Sequence, residues 1–155
     1  MNERYGGITI QHALHLARTQ FAHETINVVE WGCGAADALT ELARNHQGKE
    51  MRFIGLSGDQ YQQWALRKKL VEFYNDDASH FHRYFRFGKK IHFMFSQNGL
   101  VRLSDAELHN QLKELGPKFA RGGILLMESG FDSIICPLGF KVIDHTKRAT
   151  VYQRI

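Results

Sequence analysis

The run Ile26-Asn27-Val28-Val29-Glu30-Trp31, followed at once by Gly32-Cys33-Gly34, constrains this chain more than any other feature. It is short, β-branched and nearly all apolar, the composition of a buried strand. The glycines end it, and a helical pattern restarts from Ala35 to Ala43 through Leu39 and Leu42. A strand that stops at glycines and opens a helix is built to receive a ligand. Without Cβ atoms the backbone turns tightly, and a ligand can approach its N–H groups closely.

The rest of the chain repeats the strand-then-helix alternation. Residues 8–22 carry Ile10, Leu14, Ala17 and Phe21 on one helical stripe. Met51 to Leu56 and Ile91 to Ser96 read as strands, and Gln60 to about Tyr74 reads as a helix presenting Tyr61, Ala65, Leu66, Leu70 and Phe73. Ser104-Asp105-Ala106-Glu107 is a capping box that opens a helix with Leu108, Leu112 and Leu115 inward. That helix stops near Gly116-Pro117, and Gly122-Gly123 turns into the strand Ile124–Glu128. Phe140–Asp144 and Ala149–Ile155 flank His145-Thr146-Lys147-Arg148 as a closing hairpin. The pattern predicts an α/β sandwich of three layers, its sheet mostly parallel with a C-terminal antiparallel hairpin. The stretch around 75–90 does not fit. Phe81 to Phe87 resembles a strand, but Gly88-Lys89-Lys90 is too short for a parallel crossover of roughly a dozen residues. It is a hairpin arm or a helix, or the third-strand region is abbreviated.

The 155 residues amount to one domain, 1–155, with 43% hydrophobic and 23% charged residues, which excludes a disordered chain. Cys33 and Cys136 are too few for a disulfide framework, no apolar run approaches the ~20 residues of a membrane span, and MNERYGGITI lacks a signal-peptide core. These features predict a reduced cytoplasmic protein. A net charge of +4 and pI of about 9.2 admit nucleic acid or an anionic ligand equally, and fit a solvated basic face as well. None of the nine histidines falls in a His-x-x-x-His pattern and there is no Cys-x-x-Cys, so no metal is expected.

Two cofactor classes compete for the glycine turn. A dinucleotide fingerprint needs a third glycine where this chain has Asp37, whose carboxylate opposes a pyrophosphate. Glu30, just ahead of the turn, suits a cationic ligand. S-adenosylmethionine carries a sulfonium, an ammonium and two ribose hydroxyls, and it is the better match.

Glu30, Gly32 and Gly34 reproduce the acid-x-Gly-x-Gly first motif of the class I S-adenosylmethionine-dependent methyltransferases, with Ala36 at the frequent third glycine. The chain resembles this Rossmann-like family further. Phe53 to Gln60 is similar to its second strand and turn, Ile91 to Leu103 to its fourth-strand segment with Ser96-Gln97-Asn98 at the mouth, and Phe119 to Leu126 to the approach to its fifth strand. Gly139-Phe140 and the hairpin match its last two strands. The resemblance implies that Glu30 organises the loop near the methionyl part while Gly32, Cys33 and Gly34 give backbone contact. It places Ser57 where the ribose normally meets an acid, with Asp59 two residues on and Gln60 following, and it puts Ser96 at the mouth. The adenine-contacting acid would follow the third strand, where Asp76 and Asp77 are poor matches.

Methyl transfer by in-line displacement works largely through positioning, so no side chain is singled out as catalytic. The Asp/Asn-Pro-Pro-aromatic signature of base-amino methylation is absent at Ser96, which favours a small-molecule acceptor. A homo-oligomer or protein partner would complete the pocket. A different reading is a degenerate, non-catalytic binding module. A third is a nucleic-acid methyltransferase using His80 to Lys90, where aromatics and cations interleave. Cys33 also reads simply as a small residue in a tight loop, and Glu128 as an acceptor-pocket residue or a solvated strand end.

Overall fold

The structure is a computed structural model and describes residues 9–97 and 103–155. The elements in chain order are α1 (Ile10–Gln20), β1 (Ile26–Trp31), α2 (Asp37–Asn45), β2 (Met51–Ser57), α3 (Trp64–Arg67) and β3 (Glu72–Asn75). A 3₁₀ segment (Ala78–Tyr84) leads to β4 (Ile91–Phe95), α4 (Asp105–Leu115), β5 (Phe119–Glu128), α5 (Asp132–Ile135), β6 (Phe140–His145) and β7 (Ala149–Arg154). The seven strands form one sheet in the order β3-β2-β1-β4-β5-β7-β6. β3 through β5 run parallel, and β7 inserts antiparallel between β5 and β6. The α/β layering and the closing hairpin are those the sequence predicts.

Strand parity sorts the core into two faces. Val28 joins Leu14, Ala17, Leu39, Leu42, Phe93 and Leu126 under α1 and α2. Val29 and Trp31 join Met94, Leu112, Leu125 and Tyr152 under α4 and α5. Burying both faces of β1 explains its unbroken apolar run. The capping box forms as read: Ser104 Oγ accepts from the Glu107 N–H at 3.2 Å, and the Glu107 carboxylate accepts from the Ser104 N–H at 2.7 Å.

Three boundaries differ from the sequence reading. The helix expected over Gln60–Tyr74 is a single turn at Trp64–Arg67, and the third strand is carved from its far end as Glu72–Asn75. Leu66, read as core, is 90% exposed, whereas Phe73 stacks on Trp64 at 4.5 Å. Phe81–Phe87 is no strand: Phe81 and Phe85, one helical turn apart, are both buried, and the segment is mostly 3₁₀. β5 begins at Phe119 rather than after Gly123. Its early pairing with β4 is interrupted by a register shift around Gly122, whose φ of +84° favours glycine. No described helix is long and apolar enough to cross a membrane.

The chain winds from β1 outward to β2 and β3, then returns to place β4 on β1's other side. That reversal opens a crevice beyond the carboxyl ends of β1 and β4, where open α/β sheets take ligands.

Candidate functional site

β2 holds the end of β1 in register, Glu30 opposite Gly55 and Trp31 opposite Leu56. The Leu56 carbonyl then accepts from both Gly32 and Cys33 N–H, at 2.8 and 2.9 Å, and forces the turn. Gly32 (φ +71°) and Gly34 (φ +54°) take the left-handed conformation that glycine tolerates. Ala36 takes it too, at φ +63°, which costs a residue with a Cβ roughly 1–2 kcal/mol. Local bonds hold it there. The Ala36 N–H donates to Cys33 O at 2.8 Å, and Ala36 O accepts from the Thr40 N–H and hydroxyl at 2.9 and 2.6 Å. α2 therefore starts at Asp37, two residues later than the sequence pattern reads.

Ala36 has no side chain to cap α2, and Glu30 takes that role. Its parity in β1 turns it toward the α2 face, where the carboxylate accepts from the Leu39 N–H, a bond an N-cap side chain would otherwise make. The second oxygen, Oε2, has no hydrogen-bond partner among the described residues, although Glu30 is only 3% exposed. Burial is the main reason its pKa rises from 4.5 to about 8. The Leu39 bond opposes that rise, and the nearby Asp37 charge adds to it. Cys33 is buried beside Glu30, and its thiol is pushed well above the ordinary range by burial and then by the Glu30 charge.

These residues form one wall of a cleft of about 660 Å³. Glu30, Gly32, Cys33 and Gly34 line it together with Ala35, Ala36 and Asp37. Ser57, at the end of β2, lines it as well. Its Oγ accepts from the Asp59 N–H at 3.2 Å and shapes a turn that puts Asp59 on the wall. Tyr61 follows, with its ring facing Gly34. Ala78, Phe81 and Leu103 supply apolar surface at the far side, and Gln97 a polar edge.

Two residues named from sequence stand elsewhere. Gln60 is exposed and lines a separate depression with Trp64, Lys68 and Glu72. Ser96 is buried at the end of β4, and Gln97 beyond it reaches the cleft instead. Asn98 lies outside the described residues. Glu128 pairs with Ala149 at the end of β5 and does not line the cleft. Sequence reasoning named Asp59 but did not place it in the site, and it missed Tyr61 and Phe81. The signal for Asp59 was its spacing after Ser57, whereas Phe81 was hidden by the strand reading of its segment.

Asp76, just beyond β3, is fully engaged. Its carboxylate accepts from the Asp77 N–H at 2.7 Å and the Tyr84 hydroxyl at 2.7 Å, and it meets His80 Nδ1 at 3.0 Å. The Tyr84 and His80 bonds hold its pKa below the ordinary carboxylate range. The interleaved aromatics turn inward: Phe81 and Phe85 are buried, Tyr84 stacks on Tyr74 at 4.2 Å, and only Phe87 faces solvent. Among the described residues no group of three His, Cys, Asp or Glu could hold a metal.

No protein-family model matches the chain, and no curated protein matches it. Solved structures do. TrmN from Thermus thermophilus is similar over 97% of this chain with 17% identity and a TM-score of 0.64, and this chain spans half of that one. The 1,6-didemethyltoxoflavin-N1-methyltransferase of Burkholderia thailandensis, solved with 1,6-didemethyltoxoflavin and S-adenosylhomocysteine, is similar over 92% of this chain and 77% of its own, with 10% identity and a TM-score of 0.67. The N-methyltransferase NodS from Bradyrhizobium japonicum WM9 matches over 93% of both chains, with 12% identity and a TM-score of 0.66. With its strand order, antiparallel β7 and glycine turn at the crevice, the chain has the fold of the class I S-adenosylmethionine-dependent methyltransferases.

Proposed function

We propose that the chain binds S-adenosylmethionine in the cleft beyond β1 and β2 and catalyses methyl transfer to a small-molecule acceptor. The observation that carries this reading is Glu30. A buried carboxyl on a residue of the cleft wall, with one oxygen unpartnered among the described residues, is costly unless something completes it. The ammonium of this cofactor supplies the missing charge and donor, directly or through water. The residues around it fit the remaining parts: Asp59 and Ser57 offer acceptor oxygens for ribose hydroxyls, and Ala78 and Phe81 an apolar surface for a base. Bound S-adenosylmethionine supplies a methyl group on a sulfonium, which leaves the protein to orient the acceptor and exclude water. The similar Burkholderia enzyme, solved with S-adenosylhomocysteine and a small heterocycle, supports both the cofactor and the acceptor class.

Calorimetric titration with S-adenosylmethionine and S-adenosylhomocysteine tests the reading. Saturable heat with a thermal shift is the expected result, and neither at millimolar ligand overturns it. A second reading, a binding module without turnover, is favoured by Ser57 standing where the ribose acid normally lies. Binding without methyl transfer across a panel of small nucleophiles would favour the module. The inward-turned aromatics of 81–85 remove the stacking platform that a nucleic-acid acceptor would use.

A further inference from the structure

Two side chains that do not line the cleft grip its glycine turn from behind. The Trp64 indole N–H donates to the Gly34 carbonyl at 2.8 Å. Arg67 Nη1 donates to the Ala35 carbonyl and to the Asp37 carboxylate, the latter at 2.7 Å. Both belong to α3, the four-residue turn standing where the sequence predicts a long helix. Trp64 is fixed in its turn by stacking on Phe73 of β3, with ring planes only 7° apart. Arg67 is largely covered, its side chain 20% exposed, and its bond to the Ala35 carbonyl is part-buried, whereas the Asp37 carboxylate it also meets is exposed.

Peptide planarity turns this grip into a statement about the cleft. In a trans unit the C=O and the following N–H point in opposite directions. Fixing the Gly34 carbonyl toward Trp64 therefore sends the Ala35 N–H away from α3, and Ala35 lines the cleft. The next unit is pinned at both ends, since its carbonyl meets Arg67 and the Ala36 N–H meets Cys33 O. Gly32 and Cys33 have already spent their N–H groups on Leu56. Among the described residues the N–H groups of Gly34 and Ala35 are the turn's donors without an acceptor, and α3 sets the direction of the Ala35 one.

We propose, resting on the cofactor reading above, that Trp64 and Arg67 are positioning residues that set cofactor affinity through the Gly34 and Ala35 carbonyls without touching the cofactor. The arrangement stores no chemistry of its own. It holds a strained turn in its ligand-ready shape before any ligand arrives.

Trp64→Phe keeps a ring to stack on Phe73 and removes only the donor, while Arg67→Met keeps the stem and removes the fork. S-adenosylhomocysteine affinity is measured by calorimetry for the full chain and each variant, beside the ligand-free melting temperature. Trp64→Phe is expected to weaken binding about three- to tenfold and Arg67→Met tenfold or more. The Trp64→Phe melting point should stay close to wild type. Leu112→Val, a core truncation on the opposite face, should lower the melting point and leave affinity unchanged. A purely structural role would instead make affinity follow melting temperature across all three. If Arg67→Met does not fold, Trp64→Phe decides. Wild-type binding with unchanged affinity in a folded variant overturns the positioning role and leaves the cofactor reading standing. No binding by the wild-type chain overturns both.

Discussion

Glu30, near the end of β1, and Asp76, just beyond β3 on the far side of β2, serve two parallel strands of one sheet, yet the protein treats the two carboxylates in opposite ways. Glu30 is buried, accepts one backbone N–H, and leaves Oε2 without a partner among the described residues. Asp76 is part-exposed and takes three donors from its own segment, Asp77, His80 and Tyr84. Burial raises the first acid to about 8, and hydrogen bonds lower the second. A saturated carboxylate has nothing left to offer a ligand and serves to knit the 3₁₀ segment to β3. An unsaturated one at a cleft wall is the feature on which the proposed cofactor reading rests. On that proposal the difference separates a structural acid from a binding acid without reference to any relative.

The comparison can be broken most sharply at the turn itself. Gly32→Val places a branched side chain at φ +71°, where it is strained, and should abolish S-adenosylhomocysteine binding by calorimetry. Retained binding would show that the turn does not hold the ligand. Glu30→Gln should weaken binding by about tenfold to a hundredfold, the worth of one charged hydrogen bond, with little loss of folded structure. An equal loss from Asp76→Asn would erase the distinction between the acids.

Stability against pH sharpens the same contrast. Folded Glu30 keeps its proton up to about pH 8, whereas the unfolded chain releases it near 4.5, so its contribution declines as pH rises between those values. The slope it adds is at most about 1.4 kcal/mol per pH unit. Wild-type melting curves should show that decline relative to Glu30→Gln, and parallel curves would refute the burial argument. Asp76 runs the other way. Its lowered pKa stabilises the fold above the ordinary 3.8 and is lost in acid, so Asp76→Asn should cost a small amount of melting temperature at neutral pH and less near pH 3. Cofactor affinity should hardly change.

What could be read from sequence follows physical locality. The β1 turn was legible because a buried strand, two glycines and a helix start are all local signals. The capping box at Ser104 was legible for the same reason. The edge of the sheet was not. Over Gln60–Tyr74 the apolar spacing fits a helix, but β3 is only four residues long, too short for periodicity to declare itself against that background. Phe81, Arg83, Phe85 and Phe87 alternate as a strand would, yet burial follows Phe81 and Phe85 while Phe87 is fully exposed. Within the site, Glu30, the turn and Ser57 were named in advance, but Trp64 and Arg67 were not. Their acceptors are backbone carbonyls some thirty residues away, and no side-chain pattern marks such a contact.

Cys33 gives the turn a built-in clock. Its sulfur sits so close to Gly55 that a Cβ added there would lie 2.9 Å from it, and its thiolate is suppressed by burial and by the Glu30 charge. A thiol in that state reacts slowly with an alkylating reagent, and faster when the turn opens. Cys136, half-exposed, provides an internal reference for reagent strength. The ratio of the two labelling rates therefore measures how often the glycine turn breathes, and a bound cofactor should slow Cys33 while leaving Cys136 alone.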